Sequence, residues 1–309
     1  MESITVSGLR KSYGPVRAVD GVDFAVESGE IFGMLGPNGA GKTTTVEILV
    51  GLRERDAGEV LVLGKDPGRE PQAVKSRIGV QLQVRGMYPR LTVLETLKLF
   101  SSFYPRKISL PEILERVGLA DKARVQTKAL SGGQLQRLAV GLAMVSGGDI
   151  LFLDEPTTGL DPQARHTLWD AILDLKRQGK TVFLTTHFMD EAEHLCDRVL
   201  VIDHGRVLAC GSPSELIDEN FREQAIEFTN SPATDGDEFQ HLPGVNRVQV
   251  EGDQVTLYST DVAGTIAALM AYATRKKEAT GQSPIDHVVV RRATLEDVFL
   301  KLTGRRIRE

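Results

Sequence analysis

Residues 30 to 51, E-I-F-G-M-L-G-P-N-G-A-G-K-T-T-T-V-E-I-L-V-G, constrain this chain more than any other stretch. Residues 30 to 35 are a short apolar run, the composition of a buried strand. Gly36, Gly39 and Gly41 make a turn, and from Lys42 the spacing is that of a helix ending near Gly51. The run Gly36, Pro37, Asn38, Gly39, Ala40, Gly41, Lys42, Thr43, Thr44 contains G-x-x-x-x-G-K-[ST] in the strand–turn–helix setting that gives the pattern meaning. Glycines let successive backbone N–H groups point inward, and a helix start adds orphan donors and the positive end of its dipole. That is a cradle for a polyanionic phosphate chain. Within it, Lys42 is expected to reach the β- and γ-phosphates and the Thr43 hydroxyl to coordinate Mg²⁺. A glycine-rich turn with an incidental lysine is the bland alternative, and the segments downstream count against it.

A second helix start offers similar chemistry. Residues 130 to 146 read L-S-G-G-Q-L-Q-R-L-A-V-G-L-A-M-V-S, with Leu135, Leu138, Leu142 and Val145 at helical spacing. Ser131 and Gln134 fit a capping box. Capping does not explain Gly132 and Gly133, since glycine costs about 1 kcal/mol in a helix relative to alanine. Bare N–H groups at a helix start suit a phosphate. With one cradle already at 36 to 43, the second is most simply the other wall of a site shared between two copies of the chain.

The stretch I-L-F-L-D-E-P (150 to 156) is a buried strand ending in paired carboxylates. Asp154, at the carboxyl end of that strand, stands where α/β sheets bind ligands, and is expected to hold Mg²⁺. Glu155 points elsewhere by strand periodicity and can polarise an attacking water as general base. Asp161 is placed to cap a helix that opens with Pro162 and carries Ala164, Leu168, Ile172 and Leu175 on one face, while Trp169 reads as packing. Gly179 ends that helix, and T-V-F-L-T-T-H (181 to 187) delivers His187 to a strand end, where it can donate to a γ-phosphate.

The rest of the chain supplies the frame. Residues 2 to 10 and 22 to 27 alternate like antiparallel strands, with a short strand at 16 to 19 between them. Tyr13, in the turn before that short strand, either stacks on a base or is an ordinary turn aromatic. Residues 58 to 63 and 75 to 83 read as strands, the latter ending in Gln81 and Gln83, either of which can contact Mg²⁺ or its water. Thr92 and Glu95 form a capping box before a helix that follows a proline-marked loop, and a further helix covers 109 to 117 with Pro111 in its first turn. These helices interrupt the α/β pattern and belong to a helical insert over about 84–145. Residues 198 to 211 read as a hairpin turning at His204 and Gly205, with a helix starting at Pro213. Residues 230 to 238 read as a linker or long loop, and strands at 245 to 250, 254 to 258 and 285 to 291 with helices at 262 to 277 and 295 to 302 make a small α+β unit.

Size and charge bound the function. The 309 residues suffice for a full α/β domain and a smaller second one, taken as 1–220 and 221–309. A net charge of −5 gives no global basic field, so no nucleic-acid partner is expected. Cys196 and Cys210 have apolar neighbours and no metal spacing, and read as small buried side chains in a reducing compartment. The start of the chain shows no signal peptide, and no apolar run is long enough to cross a bilayer. Work at a membrane would need a partner that does the crossing.

Lys42, Leu130 to Gln134, Asp154–Glu155, Asp161 and His187 occur in the order and approximate spacing of an ABC transporter nucleotide-binding subunit, which residues 2 to about 220 resemble. The resemblance is to the type that pairs with separately encoded ABC-2-type export permeases, as in drug and polyketide exporters. It implies an α/β P-loop NTPase fold of the ABC cassette type: a mixed sheet core with an antiparallel subdomain and a helical insert, here followed by a small C-terminal α+β domain. Tyr13 looks like the adenine-stacking residue, Gly36 to Thr44 the Walker A loop and Gln83 the Q-loop glutamine, a better match than Gln81. Leu130 to Gln134 resembles the signature, Asp154 and Glu155 the Walker B pair, Asp161 the D-loop aspartate and His187 the switch histidine. The resemblance further implies ATP and Mg²⁺ as cofactors and an ATP-dependent head-to-tail dimer. An ABC-2-type permease is expected to dock near residues 84–100 and to hold the protein at the cytoplasmic face of the membrane. The closing stretch A-T-L-E-D-V-F-L-K-L-T-G resembles the C-terminal extension of such exporters. The alternative, a cytosolic regulatory ATPase of translation or DNA repair, is disfavoured by the single cassette and the lack of a long heptad run.

Overall fold

The computed structural model describes residues 1–82, 87–105, 108–230, 236–280 and 285–303. They fall into two compact units, residues 1–213 and 214–303.

The first unit is built on a six-stranded sheet in the order β5-β6-β7-β3-β8-β9. These strands are β3 (Ile31–Leu35), β5 (Ile78–Gln81), β6 (Ile150–Asp154), β7 (Thr181–Thr186), β8 (Arg198–Asp203) and β9 (Arg206–Gly211). All neighbours run parallel except the β8–β9 hairpin. Every residue of β3, β6 and β7 is buried, which is why β3 and β6 read as apolar runs rather than as alternation. Leu35 pairs with Thr186 and Asp154 with Thr185, so the three strands end level. Whatever follows their carboxyl ends is thereby collected along one edge.

Against this sheet lies a three-stranded antiparallel sheet, β2-β1-β4, made of β1 (Glu2–Tyr13), β2 (Val16–Glu27) and β4 (Ala57–Val62). Its first two strands are longer than the sequence pattern suggests, and β4 lies one residue before the expected 58–63. The alternation breaks at register shifts, including those beside Leu9, and Gly21 at φ 73° sits inside β2 rather than ending it. Tyr13 therefore closes a strand instead of occupying a turn. Phe24 of β2 stacks on Phe32 of β3 with centroids 5.5 Å apart, and the row continues through Phe183 to Phe152. This aromatic row fastens the two sheets together, each ring adding roughly 1.5–3 kcal/mol on burial.

Helices α1 (Lys42–Leu49) and α2 (Pro71–Lys75) precede the insert, which contains α3 (Val93–Ser101), α4 (Leu110–Arg116) and α5 (Gly132–Met144). Both predicted capping boxes form. Glu95 N donates to Thr92 Oγ1 at 3.2 Å, and Gln134 N donates to Ser131 Oγ at 3.3 Å, with each N3 side chain returning to the cap backbone. Next come α6 (Pro162–Arg177) and α7 (Met189–Leu195). The cysteines differ from expectation: Cys196 is buried, but Cys210, on the edge strand β9, is exposed.

The second unit holds α8 (Pro213–Asn220), β10 (Gln224–Asn230), α9 (Asp237–Gln240), β11 (Val245–Glu251), β12 (Gln254–Ser259), α10 (Val262–Thr280), β13 (Ile285–Arg291) and α11 (Leu295–Thr303). Its antiparallel sheet has the order β11-β12-β10-β13. Strand β10 is central and is not among the strands the sequence pattern predicts, although Ile226, Phe228 and Asn230 alternate into its core. The stretch taken as a linker from 230 is correspondingly shorter: Asn230 ends β10, α9 begins at Asp237, and Phe239 of α9 meets Phe228 with centroids 5.1 Å apart. Residues 231–235 lie outside the described residues.

Candidate active site

The turn from β3 into α1 is shaped by two glycines that have no alternative. A Cβ on Gly41 would lie 2.2 Å from Ala18 O, and Gly41 has φ 105°, a left-handed conformation that side chains resist. A Cβ on Gly36 would lie 2.3 Å from Ile202 O. The loop backbone is further fixed by Ala40 N donating to Pro37 O at 3.1 Å and by Gly205 N donating to Ala40 O at 3.0 Å. Helix α1 starts at Lys42, so the N–H groups of Lys42, Thr43 and Thr44 have no carbonyl one turn back within the helix. Asn38 and Gly39 are exposed at the tip of the turn, and Gly39 has φ 82°.

Lys42 is folded into this loop. Its Nζ donates to Gly36 O at 2.8 Å and Pro37 O at 3.2 Å, and lies 3.1 Å from Glu155 Oε1. Thr43 Oγ1 donates to Asp154 Oδ2 at 3.1 Å. The Asp154 carboxylate, 1% exposed, also accepts from the Thr185 hydroxyl. Burial raises its pKa, and those two hydroxyls oppose the shift. Thr43 and Asp154 are the hard-oxygen pair of the site. Among the described residues no cluster of three His, Cys, Asp or Glu side chains could hold a metal alone, so a cation here would draw most ligands from water and phosphate.

Glu155 faces away from Asp154, but not by strand periodicity. β6 ends at Asp154, and Glu155 turns out with φ 50°, rare for a residue with a side chain. The turn is held by Glu155 N donating to both Thr185 O and Thr185 Oγ1 at 3.1 Å, and by Gln136 Nε2 donating to Glu155 O at 3.0 Å. His187, immediately after β7, brings Nδ1 to 3.4 Å from Glu155 Oε2, close enough for an ion pair but not aligned as a hydrogen bond. The His187 imidazole, followed by Lys42, holds the Glu155 carboxyl down at about 2 against the effect of burial.

Lys42, Thr43, Asp154, Glu155 and His187 thus form one contiguous cluster. Thr185 and Gln136 belong to it as well, and nothing in their sequence setting distinguished them from core and helix-face residues. Asp161 caps α6, accepting from Ala164 N at 2.9 Å. Tyr13 is 41% exposed, with Lys11 Nζ 5.8 Å and the Arg53 guanidinium 5.2 Å from its ring centroid. Ser131 to Gln134 stand apart: among the described residues no hydrogen bond or ion pair joins them to Lys42 or Glu155. Ser131 and Gly132 are exposed, and a Cβ on Gly132 would meet nothing within 4 Å. Among the described residues no packing requires glycine at 132, whereas a Cβ on Gly133 would lie 3.2 Å from Leu160 Cδ2. Gln83 lies outside the described residues. Gln81 is buried, its Nε2 donating to Asp154 O at 3.1 Å and its Oε1 without a partner.

Residues 19–158 match the family described as ABC transporter, and residues 238–304 match the Nodulation factor export protein NodI, C-terminal domain. The Nod factor export ATP-binding protein I of Ralstonia nicotianae is 41% identical over 317 residues, covering 99% of this chain and 95% of the relative. This chain belongs to the ABC transporter ATP-binding proteins. Solved structures agree with that placement. An ATP binding subunit of an ABC transporter superposes with TM-score 0.65 at 27% identity, over 70% of this chain and 92% of the other. A dimeric post-hydrolysis state of an ATP-binding cassette bound to ADP and Pi gives TM-score 0.61 at 27% identity, over 68% and 98%. The cassette is thus an ATP-binding, ATP-hydrolysing transporter subunit. Its fold is the P-loop NTPase with antiparallel and helical subdomains read from the sequence.

Proposed function

We propose that this cassette closes as a head-to-tail pair on two ATP molecules and so drives a separate ABC-2-type permease, working at the cytoplasmic face of the membrane as an exporter. No described helix is long and apolar enough to cross a membrane, so the crossing falls to the partner. Export accords with the Nod factor export function named for the relative, and pairing with the dimeric state of the solved cassette. We assign 1–220 to the nucleotide-binding domain, with its helical insert at about 84–145, and 221–309 to an accessory domain, a boundary one short helix beyond the end of the first compact unit at Pro213.

The observation that carries the reading is the cluster of Lys42, Asp154 and Glu155 at one sheet edge, beside the start of α1, where the N–H groups of Lys42, Thr43 and Thr44 have no partner within the helix. In it, Gly36 to Thr44 cradle the phosphates and Lys42 exchanges its loop carbonyls for phosphate oxygens. Tyr13 stacks on the adenine. Thr43 and Asp154, with Gln83, hold Mg²⁺; their oxygen chemistry and short separation fit a small hard cation that retains water ligands. When bound, that ion neutralises charge developing on the phosphates. Glu155 orients the attacking water and takes its proton, and His187 holds Glu155 and reaches toward the γ-phosphate. Ser131, Gly132, Gly133 and Gln134 of one copy close over the ATP held by the other, with Asp161 beside the junction.

Glu155→Gln tests the assignment. It should keep ATP binding, lower steady-state hydrolysis by about 10²–10⁴-fold, and trap an ATP-bound dimer on size exclusion. Turnover near that of the wild type would refute Glu155 as the base.

A further inference from the structure

Glu191 is fully buried, yet the hydrolytic chemistry above makes no use of it. It lies on α7, four residues beyond His187. Trp169 Nε1, on α6, donates to Glu191 Oε1 at 3.1 Å. Glu191 Oε2 and the equally buried Thr157 hydroxyl form no hydrogen bond of their own. Burial pushes the Glu191 carboxyl up, and the Thr186 and Thr157 hydroxyls and the Trp169 indole oppose that shift. The carboxyl is hydrogen-bonded to α6, and the hydroxyls that bear on its charge come from segments that border the site. Thr186 immediately precedes His187, Thr157 follows Glu155 by two residues, and Trp169 sits two turns into the helix capped by Asp161.

A second connection joins the same helices. Arg165 Nη1 of α6 pairs with Asp190 Oδ2 of α7 at 3.1 Å, and its guanidinium lies 4.6 Å from the Phe188 ring centroid. That ring is 4.1 Å from the His187 ring, and Phe188 N donates to Thr186 Oγ1 at 2.9 Å. The turn carrying His187 is thus gripped from α6 on both sides of its start. Packing alone does not call for an acid here, because an apolar side chain of similar size would avoid desolvating a carboxyl.

We propose that Glu191 is a positioning residue, fastening α7 to α6 so that His187 is set against Glu155. This rests on the assignment of His187 and Glu155 to the hydrolytic site. Without the Glu191 anchor the start of α7 can rotate, and His187 Nδ1 loses its 3.4 Å approach to Glu155 Oε2. Among the described residues no hydrogen bond or ion pair joins Glu191 to the phosphate loop, so ATP affinity is preserved.

The test is steady-state ATPase kinetics on the full chain with H187A, E191L, E191Q, W169F and the double variant H187A/E191L. E191L should lower kcat roughly 10- to 100-fold with KM unchanged within about threefold. E191Q, which keeps an oxygen for the indole, should recover most of the loss. The double variant should be no slower than the slower single variant, because both lesions act through one group. Wild-type kcat in folded E191L, no recovery in E191Q, or losses that multiply in the double variant would each overturn the proposal. Should E191L fail to fold, W169F alone and combined with H187A decides by the same comparison, since it removes the indole donor but keeps a ring. Unimpaired hydrolysis in H187A would instead overturn the site assignment beneath it.

Discussion

Lys42 Nζ lies 3.1 Å from Glu155 Oε1 and 2.8 Å from Gly36 O, so one ammonium ties the phosphate loop to the carboxylate proposed as general base. Phosphate oxygens entering the loop compete for the same ammonium. The pairing therefore links nucleotide entry to the freedom of Glu155, because a carboxylate held by an ammonium and an imidazole is a weak base until one of them is drawn away.

This pairing has a pH signature. Glu155 falls from an ordinary 4.5 to about 2 in the fold, chiefly through His187 and then Lys42. A depressed carboxylate contributes stability that is complete above its ordinary value and is lost as pH falls toward the depressed one. Glu155→Gln lacks that dependence. Thermal midpoints of the two proteins without nucleotide should converge as pH drops from about 5 to about 3. A gap that stays constant over that interval would show that the ion pair contributes nothing.

Asp154 carries the opposite sign. Burial raises its pKa, so the ionised form is disfavoured in the fold and costs stability at neutral pH, even with the hydroxyls of Thr185 and Thr43 opposing. Asp154→Asn keeps an acceptor for those hydroxyls and removes the charge. The nucleotide-free midpoint should rise by about 2–4 °C, the shift expected for roughly 1 kcal/mol, while Mg²⁺-dependent hydrolysis is lost. An unchanged or lowered midpoint, measured by calorimetry, would contradict this account.

What could be read from the sequence was whatever is decided locally. The caps at Thr92, Ser131 and Asp161 formed as spaced, because a capping side chain meets backbone within three residues of itself. Asp154 and His187 were placed correctly because the strands delivering them are buried on both faces and parallel. Pairings across the sheet were not legible. Thr185 serves both Asp154 and Glu155, and Gln136 reaches Glu155 O from a helix 19 positions earlier, yet both look like ordinary residues of their elements. The turn at Glu155 was misread because its φ of 50° is imposed by those partners, not by its own type. Strand β10 was missed because its alternation is short and polar at every second position.

The docking surface can be separated from the fold. Tyr88 O accepts from Thr127 Oγ1 at 2.7 Å and from Leu91 N at 3.1 Å, which pins the loop backbone while the Tyr88 side chain stays 56% exposed and Arg90 is exposed too. Tyr88→Ala with Arg90→Glu should weaken co-purification with the permease and leave basal ATPase within about twofold, since surface changes away from caps and cores usually cost under 0.5 kcal/mol. Equal loss of both properties would mark the loop as structural. Residues 84–86 of the proposed surface lie outside the described residues.

The shared site makes the most demanding prediction. Ser131 to Gln134 have no bond to Lys42 or Glu155 within the chain, among the described residues, and Gly132 has open space where a side chain would stand. Two phosphate-ready helix starts in one chain are used together if a two-fold axis brings the second from a partner copy. Cysteine pairs can test this, provided the positions tolerate a side chain. Gly39 does not, because its φ of 82° would strain any substitute. Asn38, beside it and exposed, and Gly132, which has no positive φ, do. Cys210 is exposed and is replaced by serine; Cys196 is buried against Gly33, where an added Cβ would lie 2.5 Å from its Sγ, and can remain. In this background with Glu155→Gln, Asn38→Cys and Gly132→Cys should form a bond between chains when ATP is added. A disulfide needs Cα atoms within about 7 Å, so the product reports contact and not mere proximity. A dimer band on non-reducing gels that depends on ATP and on both cysteines is the expected result. A bond within single chains, or none while the protein demonstrably binds ATP, would exclude the shared site.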